Sequence, residues 1–332
     1  MNPRVRRIAL GLVALAGVLA LFSLSHGIAL LDLRALWRGP PDSPEAIILR
    51  ELRLPRTLLA LILGAGLGAA GAALQALFRN PLAEAGTLGV SSAAALGAVL
   101  VFHGGLMALS PLALPLGALA GAALATLLLL AIARGRGAGH PTLLLAGVAL
   151  NAGTGALIAL GLNLAPNPYA LQEIAFWLMG SVTDRSLDHL ALAAPPIALG
   201  VSILVLRARA MDALVLGEET ARSLGVNPAR LARDIVAGTA LAVGPGVAVA
   251  GTIGFLGLLV PHAVRVLSGT AQPRVLVPLA ALAGASALLA MDLLVRLPLG
   301  HTELKLGVVS GLIGAPLFLA LALRVSAPDP GT

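Results

Sequence analysis

Apolar segments of about 20 residues recur along the whole of this sequence, which is the length of a helix that crosses a hydrocarbon layer of about 30 Å. Only 11% of the residues are charged, whereas an ordinary soluble domain carries about 25%. So little charge cannot cover a surface that faces water. We therefore expect the lipid bilayer to surround most of this protein.

Ten such segments can be assigned, and two of them are short. No alternating ten-residue pattern indicates a transmembrane barrel, and backbone groups in lipid need internal hydrogen-bond partners, so the segments are predicted to be helices. The predicted fold is all-α, a single transmembrane domain over residues 1–332. The predicted spans are 8–30, 57–78, 88–103, 112–133, 142–164, 190–206, 235–254, 256–267, 276–295 and 306–324.

The basic residues predict the orientation. If the N-terminus is cytoplasmic and the spans alternate, most of the 22 Lys and Arg residues fall on the cytoplasmic side, in line with the positive-inside rule. Both termini are then cytoplasmic, and the run 8–30 is a retained helix because it is too long for a signal peptide core. Residues 31–56 form an external segment. Residues 207–234 form a charged, helix-capable cytoplasmic stretch, in which Asn227 and Pro228 separate two short amphipathic pieces.

One sequence pattern concerns helix packing, and a second concerns internal symmetry. Small residues at Gly64, Gly68 and Gly71 predict a face for close helix packing, although the high glycine content offers a compositional alternative. A weak internal repeat is also present: a Gly/Ala-rich span runs into the polar break 79–81, and a second one at 238–251 runs into a short span. Interrupted helices in corresponding halves are typical of a transport pathway, and chance is the alternative.

Several chemistries are disfavoured by what the sequence lacks. The sole lysine, Lys305, is not in a GxxxxGK[ST] motif, so the chain cannot hydrolyse ATP through a P-loop. Cysteine is absent and the six histidines are dispersed, so neither a metal site nor a catalytic dyad is expected. The arginines form no basic stripe with aromatic residues, which argues against nucleic acid. We predict no catalytic residue, no metal and no cofactor in this chain.

The energy source is predicted to lie on another subunit. Ion-coupled carriers usually place carboxylates in mid-membrane, and the acids nearest an apolar core, Asp292 and Glu303, lie near span ends. Polar residues inside spans, Gln75, Asn151 and Asn163, are interpreted either as helix-to-helix hydrogen bonding or as pore lining. An ion-gradient-driven secondary transporter of a small organic solute remains the alternative. An intramembrane enzyme and a structural scaffold are less favoured.

Six blocks of sequence resemble the FecCD-type permeases, which import iron-siderophores, haem or vitamin B12. They follow the order of that family over nearly the whole chain. The blocks are residues 53–97, LLLAGVALN (143–151), FWLMGS (176–181), LGEETARSLGV (216–226), VAVAGTIGFLGLLVPHAVR (247–265) and ELKLGVVSGLIGAPLFL (303–319).

The resemblance implies the permease fold of a type II ABC importer in the bacterial inner membrane. The expected assembly contains a second copy of the chain, two cytoplasmic ATP-binding subunits and a periplasmic substrate-binding protein, with membrane lipid around it. ATP and Mg would be held by the ATP-binding subunits. The implied cargo is an iron chelate, as siderophore or haem, or cobalamin, which moves along a pathway between the two permease copies.

The resemblance also implies roles for particular residues. Glu218, Ala221, Arg222 and Gly225 match the short coupling helix that sits on the ATP-binding subunit, and a solvated charged loop is the alternative. A stiff element of this kind can transmit a rigid-body motion.

Two further sets of residues match the docking rim and the gate. Arg56 and Arg296 match external arginines that meet acidic residues of the binding protein, which suits the bidentate geometry of arginine; snorkelling to the membrane interface is the alternative. Asn80 and Leu82 match positions of the cytoplasmic gate.

The chain departs from the family pattern at a few positions. His140 and Pro141 stand at the second constriction of the gate, where small hydroxyl residues are known in the vitamin B12 importer, so the chemistry of that constriction is open. Ala85, Thr252 and Lys305 are the other departures, and they are interpreted as drift within the family.

Overall fold

A computed structural model of the chain describes residues 2–26, 43–110, 112–134, 140–165, 167–297 and 304–325. All regular structure in these ranges is helical, which confirms the predicted all-α fold. The helices are α1 (Pro3–Ser25), α2 (Leu54–Phe78), α3 (Val90–His103), α4 (Ala113–Arg134), α5 (His140–Asn163), α6 (Pro168–Leu178), α7 (Leu187–Val215), α8 (Glu218–Ser223), α9 (Pro228–Ala250), α10 (Leu256–Ser268), α11 (Pro273–Val295) and α12 (Leu306–Val325).

Ten of these helices overlap, in order, with the ten predicted spans, although the predicted span 235–254 runs past the end of α9 and residues 27–30 of the first span lie outside the described residues. Seven candidate spans in the described ranges are long and apolar enough to cross a membrane, and α3, α10 and part of α12 are shorter apolar helices. With 14 and 13 residues, α3 and α10 are only about 20 Å long. Each of these two helices follows a helix break, which is a connection that is not α-helical. The helix break before α3 is formed by residues 79–89, and the one before α10 by residues 251–255.

The helix-capable stretch 207–234 is helical over most of its length, and the two long helices extend further into it than the predicted spans. Helix α7 continues to Val215, and α9 already begins at Pro228, so only α8 and its connections lie outside the long helices. The side chain of Asn227 caps α9 by accepting the Arg230 N–H at 3.0 Å. Charged residues such as Arg207 can extend a membrane helix into water without ending it, which is why hydropathy underestimates the length of α7.

The structure describes only part of the predicted external segment 31–56. Residues 27–42 lie outside the described residues. A four-residue helical turn, Pro44–Ile47, and a π-helical turn, Ile48–Arg53, lead directly into α2. The second half of the predicted loop is therefore a helical extension of α2.

The core of the protein is built around α2, which packs against α7, α9, α10 and α11. Gly64 and Gly68 face Gly284 and Ala280 of α11 so closely that a Cβ on either glycine would overlap the α11 backbone. Gly71 approaches Gly257 of α10 in the same way. The predicted small-residue face is therefore a packing surface, as expected where no hydrophobic force drives helices together in lipid.

Helix α5 shows the opposite pattern, because much of its apolar surface is uncovered. Leu145, Val148, Leu157 and Leu160 are all exposed. Asn151 and Asn163 are exposed on the same helix. Lipid accepts the leucines readily, whereas the amides need polar partners.

Candidate functional site

The two helix breaks, residues 79–89 and 251–255, contact each other. Glu84, in the connection between α2 and α3, accepts a hydrogen bond from the backbone N–H of Phe255, in the connection between α9 and α10. Its carboxylate also lies against the first turn of α10, about 3.5 Å from the Cβ position of Gly257. The two halves of the weak internal repeat thus meet at one point in the structure.

Both breaks hold a non-glycine residue in the left-handed backbone region. Arg79 ends α2 with φ 48°, and Phe255 precedes α10 with φ 63°. Side chains with a Cβ adopt this region at a cost, and such residues often mark functional or tightly constrained sites. Asp184 is the other non-glycine residue with positive φ in the described part of the chain.

Glu84 sits in a largely desolvated position. Burial raises the pKa of its carboxyl to about 6, although the hydrogen bond from Phe255 favours the charged form. The N-terminal end of α10 also favours a negative charge there. Glu84 is therefore an interior carboxylate that lies outside the apolar spans in sequence.

A second polar contact joins α2 to α10. The Gln75 side chain is buried, donates through Nε2 to the Gly257 carbonyl at 3.3 Å, and accepts from Arg265 Nη2 at 2.5 Å. Of the two interpretations of Gln75, the structure supports helix-to-helix hydrogen bonding. Asn151 and Asn163 are exposed instead.

The predicted gate residues Asn80 and Leu82 lie in the tight turn that follows α2. Asn80 Oδ1 accepts the Leu82 N–H at 2.9 Å, a local bond that fixes this kind of turn. Leu82 is 51% exposed, so its side chain projects from the protein. The following segment packs on α5, since a Cβ on Gly147 would lie 2.8 Å from the Leu88 Cα.

The second predicted gate pair stands at the first turn of α5. Pro141 is exposed there, and the side chain of His140 lies outside the described residues. Gly147, which contacts the segment after the first gate turn, is two turns further along the same helix. The two predicted gate elements therefore belong to the same end of the bundle.

Arg56 and Arg296 flank one buried carboxylate. Arg56 Nε donates to Asp292 Oδ1 at 2.9 Å, and Arg296 donates through Nε to Asp292 Oδ2 at 3.0 Å and through Nη2 to the same oxygen. The Asp292 side chain is fully buried, and the two arginine side chains are only 13% and 11% exposed. The predicted docking arginines are thus part of an internal ion-pair cluster.

This cluster also holds α1. Arg296 Nη1 and Nη2 donate to the backbone carbonyl and the hydroxyl of Ser23, at 3.1 and 2.9 Å. The Ser23 hydroxyl lies 2.6 Å from that of Thr57, and Arg53 donates to the Leu24 carbonyl at 2.9 Å. Three helices, α1, α2 and α11, are joined by charge-assisted hydrogen bonds at this end.

The predicted coupling residues form a short ordered helix, α8, between α7 and α9. Glu218 and Arg222 pair across one turn at 3.2 Å, and Ala221 is fully buried. Gly225, at φ +80°, follows the helix, where the Val226 N–H donates back to the Ala221 carbonyl at 2.9 Å. A hollow of about 320 Å³ opens beside Arg222, Gly225, Val226, Asn227, Pro228 and Ala229.

Comparison with known proteins identifies the kind of molecule. Residues 12–324 match the model of the FecCD transport family. This chain belongs to the FecCD transport family. It is therefore a permease subunit of the ABC importer class and a multi-pass protein of the bacterial inner membrane, and its family works with ATP-binding subunits and a substrate-binding protein.

FecCD relatives resemble the chain over most of their length. The vitamin B12 import system permease protein BtuC of Escherichia coli O127:H6 (strain E2348/69 / EPEC) is 44% identical over 87% of this chain and 88% of its own. BtuC of Vibrio cholerae serotype O1 is 42% identical over 87% of each. A solved structure, described as an inward-facing conformation of a metal-chelate type ABC transporter, matches with a TM-score of 0.86 and 32% identity, over 96% of this chain and 99% of that one.

The burial of two carboxylates, those of Asp292 and Glu84, was not predicted from the sequence. Asp292 was treated as an acid near a span end, but its partner Arg56 is 236 residues away in sequence. Glu84 follows a polar break, where hydropathy gives no sign of burial. Within the described ranges, no group of three His, Asp or Glu side chains comes together as a metal site.

Proposed function

We propose that this chain is the permease through which an ATP-driven importer moves cobalamin or an iron chelate, as siderophore or haem, from periplasm to cytoplasm. The similarity to permeases named for vitamin B12 import, over 87% of the chain at 44% identity, carries this proposal. The fold match to a metal-chelate type transporter supports the same class of cargo.

The energy for transport comes from outside the chain. Two ATP-binding subunits hold ATP and Mg and press on α8, whose buried Ala221 and paired Glu218 and Arg222 make it a stiff contact. Because α8 packs against both α7 and α9, a shift of α8 moves these long helices with it. This chain binds, encloses and releases cargo, and no covalent bond changes in it.

A second copy of the chain completes the pathway. The exposed apolar face of α5, with Asn151 and Asn163 among its leucines, supports this assignment. Leucine side chains suit contact with lipid or with a second copy, and the amides suit a wet passage between two copies. The pathway then lies between the two α5 helices, with the turn of Asn80 and Leu82 near its cytoplasmic end.

The periplasmic binding protein docks at the end of the bundle that holds Arg56 and Arg296. At this end Arg56 and Arg296 both pair with the buried carboxylate of Asp292, and Arg53 donates to the Leu24 carbonyl. The fork geometry of a guanidinium group suits acidic residues on the partner.

A reconstitution experiment tests the proposal. The chain is placed in liposomes with the ATP-binding and substrate-binding proteins encoded beside it, and uptake of labelled cyanocobalamin, a ferric siderophore and haem is measured. We expect ATP-dependent uptake of one of these, and none when the ATP-binding subunit is left out. Uptake driven by an ion gradient without that subunit would contradict the proposal.

One observation bears on the secondary-transporter alternative. Glu84 is a buried carboxylate that could be protonated near neutral pH, as a proton-coupled carrier requires. If Glu84 carries protons for transport, the Glu84→Gln variant abolishes gradient-driven uptake. In an ATP-driven importer, the variant retains its dependence on ATP.

A further inference from the structure

Three segments that are distant in sequence meet at the C-terminal end of α6. The Ser181 N–H donates to the Ala250 carbonyl, at the end of α9, at 2.7 Å. The Gly307 N–H, in the first turn of α12, donates to the Met179 carbonyl at 2.9 Å. The predicted topology puts the connections after α6 and before α12 on the external side of the membrane. The α9–α10 connection runs from this junction towards Glu84, in the predicted cytoplasmic connection after α2.

Thr252 adds a side-chain bond to this junction. Its hydroxyl donates to the carbonyl of Leu178, the last residue of α6, at 2.5 Å. The final carbonyls of a helix have no partner within the helix, so an external donor is needed to satisfy them. Thr252 and Gly307 supply donors to two successive carbonyls at this helix end.

Lys305 contacts the same helix from the other side of the junction. Its ammonium lies 5.8 Å from the centroid of the Phe176 ring, within range for a cation–π interaction. Phe176 is in the last turn of α6, two residues before Leu178. Thr252 and Lys305, two of the positions where this chain departs from its family's pattern, therefore both contact the end of α6.

Within the described residues, α6 packs on α3 and α5 through only a small surface. With 11 residues it is too short to span a membrane. Tyr169 near its start is 83% exposed, and the buried residues of α6, Ile174 and Trp177, lie in its second half. The position of α6 thus depends on contacts near its C-terminal end.

We infer that Thr252 and Lys305 are positioning residues that clamp α6 to the α9–α10 break and to the start of α12, and so hold closed an external barrier of the pathway. The inference rests on the proposed function, because only a transport pathway needs such a barrier. The junction consists of two backbone hydrogen bonds, one hydroxyl bond and one cation–π contact, a set of contacts small enough to break and re-form in each cycle. Helix α6 follows α5 directly in sequence, so its release would open the outer end of the surface that α5 lines.

Hydrogen exchange tests the clamp without any transport substrate. The purified chain in lipid nanodiscs is compared with Thr252→Val, which keeps the shape but loses the donor, and with Lys305→Met, which loses the charge. Thr252→Ser and Lys305→Arg restore the donor and the charge. Thr126→Val is the matched control, because the Thr126 hydroxyl makes a comparable bond to Ala122 at 2.6 Å within α4.

We expect Thr252→Val and Lys305→Met to speed exchange severalfold, about fivefold, in peptides that contain Ser181 and Gly307, whose amides are donors of the junction. The Ser and Arg variants should match the wild type, as should Thr126→Val at these peptides. Unchanged exchange in Thr252→Val overturns the clamp. A rise spread evenly over all helices also overturns it, because that result would show a general effect on folding.

A leak assay then tests the barrier. Liposomes that contain the chain and trapped cyanocobalamin, without ATP-binding subunits, should lose the probe severalfold faster with Thr252→Val or Lys305→Met than with Thr126→Val. Equal leak rates, together with ATP-driven uptake by the complete wild-type importer, overturn the barrier and leave the proposed function intact. Failure of the complete importer to move any of the three labelled probes overturns the proposed function instead, whatever the exchange data show.

Discussion

Arg56 on α2 and Asp292 on α11 form an ion pair across 236 residues of sequence, with Nε 2.9 Å from Oδ1 and the carboxylate fully buried. Arg296 shares the same carboxylate from one turn further along α11. Paired carboxylates of this kind are costly to disrupt, because the remaining charges stay desolvated. The pair therefore links the stability of the bundle to the residues that are predicted to dock a partner.

Asp292→Ala should lower the free energy of unfolding by about 3–5 kcal/mol, because it leaves two guanidinium groups without their buried partner. Arg56→Met should cost less, since Arg296 still pairs with Asp292. Thermal unfolding in detergent, followed by tryptophan fluorescence, gives the order of the two effects. If Asp292→Ala unfolds at the same midpoint temperature as the wild type, the Asp292 carboxylate contributes little to the stability of the fold.

Lysine substitutions separate docking from stability. Reversal of both arginines to acids would gather three carboxylates in one buried cluster and disrupt the fold, so it cannot report on docking alone. Arg56→Lys with Arg296→Lys keeps the charge but loses the planar fork. We expect the affinity for the substrate-binding protein to fall by about tenfold or more, measured by biolayer interferometry on nanodiscs.

The control for this experiment is Arg50→Lys, because the Arg50 side chain precedes α2 and is 76% exposed. It should leave the affinity unchanged. Wild-type affinity in the double lysine variant would remove Arg56 and Arg296 from the docking surface and leave them as structural residues.

Glu84 predicts a pH dependence of stability. Its pKa in the folded protein is raised from 4.5 to about 6, so the folded state binds the proton more tightly than the unfolded chain does. The associated stabilisation is fully present below pH 4.5 and is lost as the pH rises through 6. It amounts to roughly 2 kcal/mol.

Glu84→Gln should remove this dependence. Relative to the variant, the wild type should become less stable between pH 4.5 and 7, and chemical unfolding at several pH values measures the difference. Glu219→Gln, which changes an exposed carboxylate of α8, serves as the control. Parallel curves for the wild type and Glu84→Gln would show that the Glu84 carboxylate titrates as it does in the unfolded chain.

The orientation can be tested by labelling because the chain has no cysteine of its own. Glu219→Cys in α8 should react with a membrane-impermeant maleimide only after the cells are opened. Tyr169→Cys, at an 83% exposed position of α6, should react in spheroplasts that are still intact. Labelling of Glu219→Cys from outside would place α8 on the side opposite to the ATP-binding subunits.

The helices could be predicted from sequence because the length of an apolar run is a local property. The extension of α7 to Val215 could not, since charged residues that leave the membrane can stay helical. Asp292 and Glu84 were missed for a different reason: burial of a carboxylate depends on which helices meet, and hydropathy carries no record of that. Thr252 was interpreted as drift, yet its hydroxyl caps a helix that is 74 residues away in sequence.

The backbone contact between Gly64 of α2 and Gly284 of α11 bears on how such a permease can change shape. Two helices whose main chains are in contact have no side chains between them, so they cannot slide or roll past each other without separating. We therefore expect α2 and α11 to move as one rigid unit. Conformational change during transport is then expected in the helices around α2 and α11. Substitutions intended to change the transport rate should be made in those surrounding helices, and the glycines should be left unchanged.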